Sequence, residues 1–91
     1  MNDKVLVKLL LPELDSKYDI LIPVNEIIWK IKKLLIKSVS DLEGIKLNMN
    51  TDYILLNKEN SRVYNNNEII INTDIRNSTE LILITNNSKT L

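Results

Sequence analysis

One stretch of this chain restricts its fold more than any other. Val24, Ile28, Ile31, Leu35, Val39 and Leu42 recur at steps of three and four, the spacing that aligns side chains on one face of an α-helix. Ile27 and Leu34 widen that face. Pro23-Val24-Asn25-Glu26 reads as a helix start. Asn25 is placed to cap the first-turn amides, Glu26 sits where the helix dipole favours an acid, and Val24 is placed to staple onto the first turn. Gly44 follows Glu43 and suits the left-handed position that ends a helix. The spacing therefore predicts one helix over about 26–43.

The rest of the chain reads mainly as strands. Residues 5–10 are apolar and β-branched, 12–17 carry turn formers, and 18–22 resume strand character, which together predict an antiparallel hairpin. After the helix, 45–52 form a polar connection anchored by Ile45, Leu47 and Met49. A strand follows at 53–56, a turn at 57–61, a short return strand at 62–64 and a second turn at 65–67. Ile69-Ile70-Ile71 reads equally well as strand or helical turn. Asn77-Ser78-Thr79 turns the chain into a last strand at 80–84. The order predicts an α+β domain, a mixed sheet of four to five strands packed on one helix. All 91 residues belong to one domain on this reading, ordered over about 4–84 with 85–91 as a flexible tail. A chain of this size buries roughly 60–65% of its unfolded surface, enough for one core.

Composition excludes several kinds of chemistry. Twelve basic residues balance twelve acidic ones, so the strong basic excess of a nucleic-acid binder is missing. There is no Cys and no His, which removes disulfides, thiol nucleophiles, the usual metal ligand and the usual general base near neutral pH. Glu13, Asp15 and Asp19 near the hairpin, and Asp41 and Glu43 near the helix end, read as solvated charge. No glycine-rich loop exists to hold phosphate. The expectation is a chain with no catalytic residues, no metal and no cofactor. The apolar run at 5–11 is broken by Lys8 and falls far short of the roughly 20 residues of a membrane span. It lacks a signal-peptide cleavage site. A cytoplasmic location is expected, without membrane insertion.

A hairpin, one long helix, two short strands and a final strand is the order of elements in ubiquitin. Ile22-Pro23 leads into the helix and Glu43-Gly44-Ile45 leaves it, much as Glu-Gly-Ile leaves the ubiquitin helix. Ile75, the turn Asn77-Ser78-Thr79 and then Leu81-Ile82-Leu83 resemble the end of the ubiquitin chain. More narrowly, the chain resembles the YukD/EsaB family, small stand-alone ubiquitin-like proteins of the type VII (WXG100, Ess-type) secretion systems of Gram-positive bacteria. Tyr18-Asp19-Ile20-Leu21-Ile22-Pro23 is similar to their second strand and helix start, and Ile28, Ile31 and Leu35 to their helix core. Asn66-Asn67-Glu68 through Ile75 and Asn77 is similar to their late segment. The resemblance covers about residues 4–84. Departures are Asn77 where the family tends to have Gly, a helix about a turn longer than in ubiquitin, and Trp29. The resemblance implies a β-grasp fold and a cytoplasmic accessory or regulatory role in a secretion machine. It implies a protein partner such as a membrane component or a regulator. Conjugation of the ubiquitin type needs a flexible Gly-Gly tail, whereas the only glycine here is Gly44, so a non-conjugating module is expected.

Two surfaces stand out as candidate partner sites. If Val5, Val7 and Leu9 face the helix, alternation turns Leu6 and Lys8 outward. In the last strand Leu81 and Leu83 face in, and Ile82 and Ile84 face out. These strands are neighbours in the resembled fold, so Leu6, Ile82, Ile84 and Lys8 are expected to form one apolar patch with a basic rim. On the helix, Trp29, Lys33 and Ile36 lie opposite the core stripe at 100° per residue. Lys30, Lys32, Lys33 and Lys37 share the helix with no acid between Ile27 and Ser40. That face suits an acidic partner or anionic lipid, though helix lysines are commonly just solvated. The alternative to a partner-binding module is a structural domain that self-associates through the open sheet face or a strand edge, as a weak homodimer.

Overall fold

The computed structural model describes residues 3–86. The chain forms β1 (Lys4–Leu11), β2 (Ser16–Pro23), α1 (Ile28–Glu43), β3 (Tyr53–Asn57) and β4 (Glu80–Thr85), with 3-10 turns at Pro12–Leu14 and Ile70–Asn72. The strands make one sheet in the order β2-β1-β4-β3. β1 and β2 are an antiparallel hairpin, β1 and β4 run parallel, and β3 returns antiparallel to β4. Asp15 closes the hairpin turn in the left-handed region, at φ 50°, which a short polar side chain tolerates better than most.

Alternation along the strands builds the inner face. Val7, Leu9 and Leu11 of β1, Ile20 and Ile22 of β2, Leu55 of β3, and Leu81 and Leu83 of β4 are all buried. Ile28, Ile31, Leu35, Ile36 and Val39 of α1 join them in one core. Ile70, Ile75 and Tyr64 close it from the 57–79 segment. The buried helix stripe ends at Val39, and Leu42 is exposed.

The helix starts differently from the sequence expectation. Its N-cap is Ile27, in extended backbone with no side-chain cap, so Asn25 does not cap it. Instead the first-turn amides are met by a distant loop: Ile28 N–H donates to the Glu68 carbonyl (2.8 Å) and Trp29 N–H to the Asn66 carbonyl (3.1 Å). Ile27 pairs with Ile69 in an isolated bridge. Backbone carbonyls from a later segment thus do what a capping side chain usually does. The far end follows expectation. Gly44 sits at φ 67° and its N–H donates to the Ser40 carbonyl, the glycine-type helix end.

The 57–79 segment carries little regular structure. The expected return strand at 62–64 reduces to one bridge, Leu56 to Val63, so the sheet has four strands. Ile69 to Ile71 combines both readings: Ile69 bridges to Ile27, and Ile70 opens a 3-10 turn with its side chain fully buried. A polar network ties the segment together. The Tyr64 hydroxyl donates to Asp74 Oδ1 (2.6 Å) and accepts from Asn57 Nδ2 (3.2 Å). Arg62 lies over the Tyr64 ring, 5.0 Å from its centroid, and bridges Asp74 (3.3 Å) and Glu68 (2.6 Å). Burial, with the Asp74 hydrogen bond behind it, pushes the Tyr64 hydroxyl up to about 12. The same bond holds the Asp74 carboxyl below its ordinary value. β4 runs through Thr85. The tail expected to be flexible lies, from residue 87, outside the described residues.

Candidate interaction surface

α1 covers one face of the sheet. The opposite face is organised in rows by strand register. Leu6 pairs with Leu21; Lys8 pairs with Asp19 and Glu80; Leu10 pairs with Lys17 and Ile82; Ile82 and Ile84 pair with Leu56 and Ile54. Lys58 continues the second row, so alternating charges cross the sheet as Asp19, Lys8, Glu80 and Lys58. Lys8 bridges Asp19 at 3.6 Å and Lys58 bridges Glu80 at 3.9 Å. This charged row divides the face. On one side stand Leu6 and Leu21, 42% and 56% exposed. On the other, Leu10, Ile54, Leu56, Ile82 and Ile84 form a contiguous apolar patch, half-buried against one another, with Ile84 36% exposed.

The expected single patch of Leu6, Lys8, Ile82 and Ile84 is therefore corrected. All four point outward, as alternation requires. The parallel register, however, sets Leu10 rather than Leu6 beside Ile82. Leu6 lies against the 77–79 turn, its N–H bonded to Asn77 Oδ1 and its carbonyl accepting from Ser78. Along the strands it is about 20 Å from the level of Ile84. Lys8 borders the patch but sits within the charged row. Leu10, Ile54 and Leu56 complete the patch, beyond the residues expected from the sequence. Alternation from Leu6 and Lys8 already points Leu10 outward; Ile54 and Leu56 needed the β3 register.

The helix face is also partly corrected. Trp29 is 43% exposed, with Lys30 Nζ 5.5 Å from its ring centroid, and Lys33 is exposed. Ile36 is not on an open surface: it is 1% exposed. With Tyr53 it forms the floor of a cleft of about 130 Å³ walled by Trp29 and Met49, with Lys33 and Asp52 among its lining residues. The residues leading into β3 pass over the turn of helix that periodicity alone leaves open. Lys32 is spent inside the fold, donating to the Tyr53 carbonyl (2.6 Å) and to Asn66 Oδ1 (2.8 Å). Desolvation lowers its ammonium pKa, opposed by the Asp52 charge. Lys37 pairs with Asp41 at 3.2 Å. Among the described residues no cluster of metal-ligating side chains occurs, and no helix is long and apolar enough to cross a membrane.

No protein-family model matches the sequence, and no curated protein does. Solved structures do. The EccD5 ubiquitin-like domain from Mycobacterium xenopi superposes with a TM-score of 0.72 at 13% identity, over 91% of this chain and 94% of that one. The fold is a ubiquitin-like β-grasp. The same β-grasp matches a chain of an ESX-5 inner membrane complex free of MycP5, with a TM-score of 0.72 and 13% identity, over 92% of this chain but only 21% of that longer one. It also matches a chain of a toluene 4-monooxygenase HD complex, with a TM-score of 0.74 and 4% identity, over 91% and 99% of the two chains. At such identities the likeness concerns the β-grasp alone, and function has to be argued from this chain's own surface.

Proposed function

We propose that this chain is a non-conjugating interaction module that binds a protein partner through Leu10, Ile54, Leu56, Ile82 and Ile84. One observation carries the proposal: these side chains are contiguous on the sheet face that α1 leaves uncovered. Apolar patches rimmed by charge mark protein contacts, and Lys17, Lys8 and Lys58 lie along this rim. Binding by such a patch needs no general base and no diglycine, and the sequence contains neither His nor Gly-Gly. The resemblance to YukD/EsaB, and the β-grasp shared with a domain named EccD5 and with an ESX-5 inner membrane complex, support a cytoplasmic accessory or regulatory role in a type VII secretion system. The partner is then a cytoplasmic part of a membrane component, or a regulator.

Genes for WXG100 substrates and an FtsK-type ATPase beside this one would name the machine. Purified cytoplasmic domains of its membrane components are then titrated with this chain by calorimetry. Ile82→Glu or Leu56→Glu is expected to weaken binding at least about tenfold, while Leu6→Glu, across the charged row, leaves it unchanged. Equal affinity for all three variants sinks the proposal.

One observation favours self-association as a second reading. β2 is an eight-residue edge strand, and edges recruit further strands. The β3 edge is closed in part by the Val63 bridge and by Lys32 on the Tyr53 carbonyl. Sedimentation that shows a monomer at every concentration removes this reading.

A further inference from the structure

Independently of the sheet face, we propose that the cleft between Trp29 and Met49 is a second docking site, which takes one bulky apolar side chain from an acidic segment of a partner protein. The cleft is about 130 Å³. An engineered protein cavity of roughly 150 Å³ holds a benzene molecule, so this one accepts a single leucine- or phenylalanine-sized group. Its floor is Ile36 and Tyr53, both buried, and its walls are the half-exposed Trp29 and Met49. The rest of the lining is polar, from Lys32, Lys33, Thr51, Asp52 and Asn66, and tryptophan is a frequent energetic anchor in interfaces.

Charge selects the occupant. The helix has no acid between Ile27 and Ser40. Lys32 is consumed by Tyr53 and Asn66, and Lys37 by Asp41. Among the described residues no carboxylate lies within ion-pair distance of Lys30 or Lys33. Two ammonium groups without a carboxylate partner therefore stand beside Trp29: Lys30 Nζ lies 5.5 Å from its ring centroid, and Lys33 lines the cleft together with Asp52. A segment that places its acids over Lys30 and Lys33, and its apolar anchor between Trp29 and Met49, satisfies both features. A flat anionic membrane fits less well, because the cleft is concave and takes a single protruding side chain.

Trp29 is the only tryptophan in the chain, so its fluorescence reports on this site alone. The probe is a display library of short random peptides, selected against the intact chain. Enriched peptides are expected to share one large apolar residue beside two or more acids, and to shift Trp29 emission to the blue with saturation. Lys33→Glu and Met49→Asp, both at exposed positions, should weaken them at least about tenfold, while Ile82→Glu leaves them unchanged. Replacing the apolar anchor of a selected peptide by Ala should give the same loss on the unaltered protein, which covers the case of a variant that misfolds. The proposal is overturned by a selection without enrichment. It is equally overturned by peptides that leave Trp29 emission unmoved or survive anchor removal. A blue shift with phosphatidylglycerol vesicles and none with peptides overturns it in favour of a lipid surface.

Discussion

Replacing Tyr64 by Phe removes one oxygen from the middle of the network that holds the 57–79 segment. The ring is 2% exposed and keeps its packing, so the loss is polar. A hydrogen bond to a charged group contributes about 1.5–3 kcal/mol, and a neutral one about 1 kcal/mol. The Asp74 side chain is 38% exposed, so water recovers part of the first contribution and its low end applies. Asn57 is buried and loses the acceptor of its amide. The expected cost is about 2 kcal/mol near neutral pH, or a fall in Tm of roughly 10 °C. The pH dependence separates this mechanism from a general loosening. Asp74 has a folded pKa below its ordinary value, so its stabilisation is complete above about pH 4 and is lost as pH falls through the folded value. The Tyr64 hydroxyl is raised to about 12. Its contribution is complete below pH ~10 and is lost between about pH 10 and 12, amounting to about 2–3 kcal/mol. Urea titrations of both proteins across pH should show a gap that is level from mildly acid to mildly alkaline pH, narrows at the acid end, where the Asn57 bond remains, and closes at the alkaline end. A gap that stays constant from pH 3 to pH 11, or one below about 0.5 kcal/mol at neutrality, refutes the assignment.

Three further substitutions test other parts of the fold. Ile36→Lys is expected to cost several kcal/mol, because it buries an unpaired charge under the 49–53 segment, whereas Lys33→Glu three positions earlier stays within about 0.5 kcal/mol; similar denaturation midpoints for the two would restore Ile36 to the surface. Gly44→Ala is expected to cost about 1 kcal/mol through backbone strain alone, since the position sits at φ 67° with open space around a new Cβ; unchanged thermal stability would show that the helix ends elsewhere in solution.

What was legible in the sequence was local. The helix stripe, its glycine end and the alternation of β1 and β4 depend on neighbours a few residues away, and the structure keeps them. What failed depended on distant segments. Asn25 resembles a cap, but carbonyls of Asn66 and Glu68 arrive first. Ile36 shares the outer face with Trp29 by angle, yet residues leading into β3 cover it. Leu6 and Ile82 lie on neighbouring strands, which by itself predicts a shared patch. The parallel register that separates them is fixed by contacts between ends of the chain, including the Leu6 amide on Asn77. No local pattern encodes that offset or the β3 register, so the grouping of Leu10, Ile54 and Leu56 with Ile82 is not legible locally, although alternation alone turns Leu10 outward.

The amides at the start of α1 and the open side of β1 share one property: each waits for residues made much later. The Trp29 amide needs Asn66, and Leu6 needs Asn77, 71 positions along the chain. During synthesis the hairpin and most of the helix can form early, but the sheet lacks the second of its two central strands until β4 leaves the ribosome. The order of assembly is thus set by the last strand to emerge. Up to that moment Leu9, Leu11 and the helix stripe lack Leu81 and Leu83, the core partners that β4 brings.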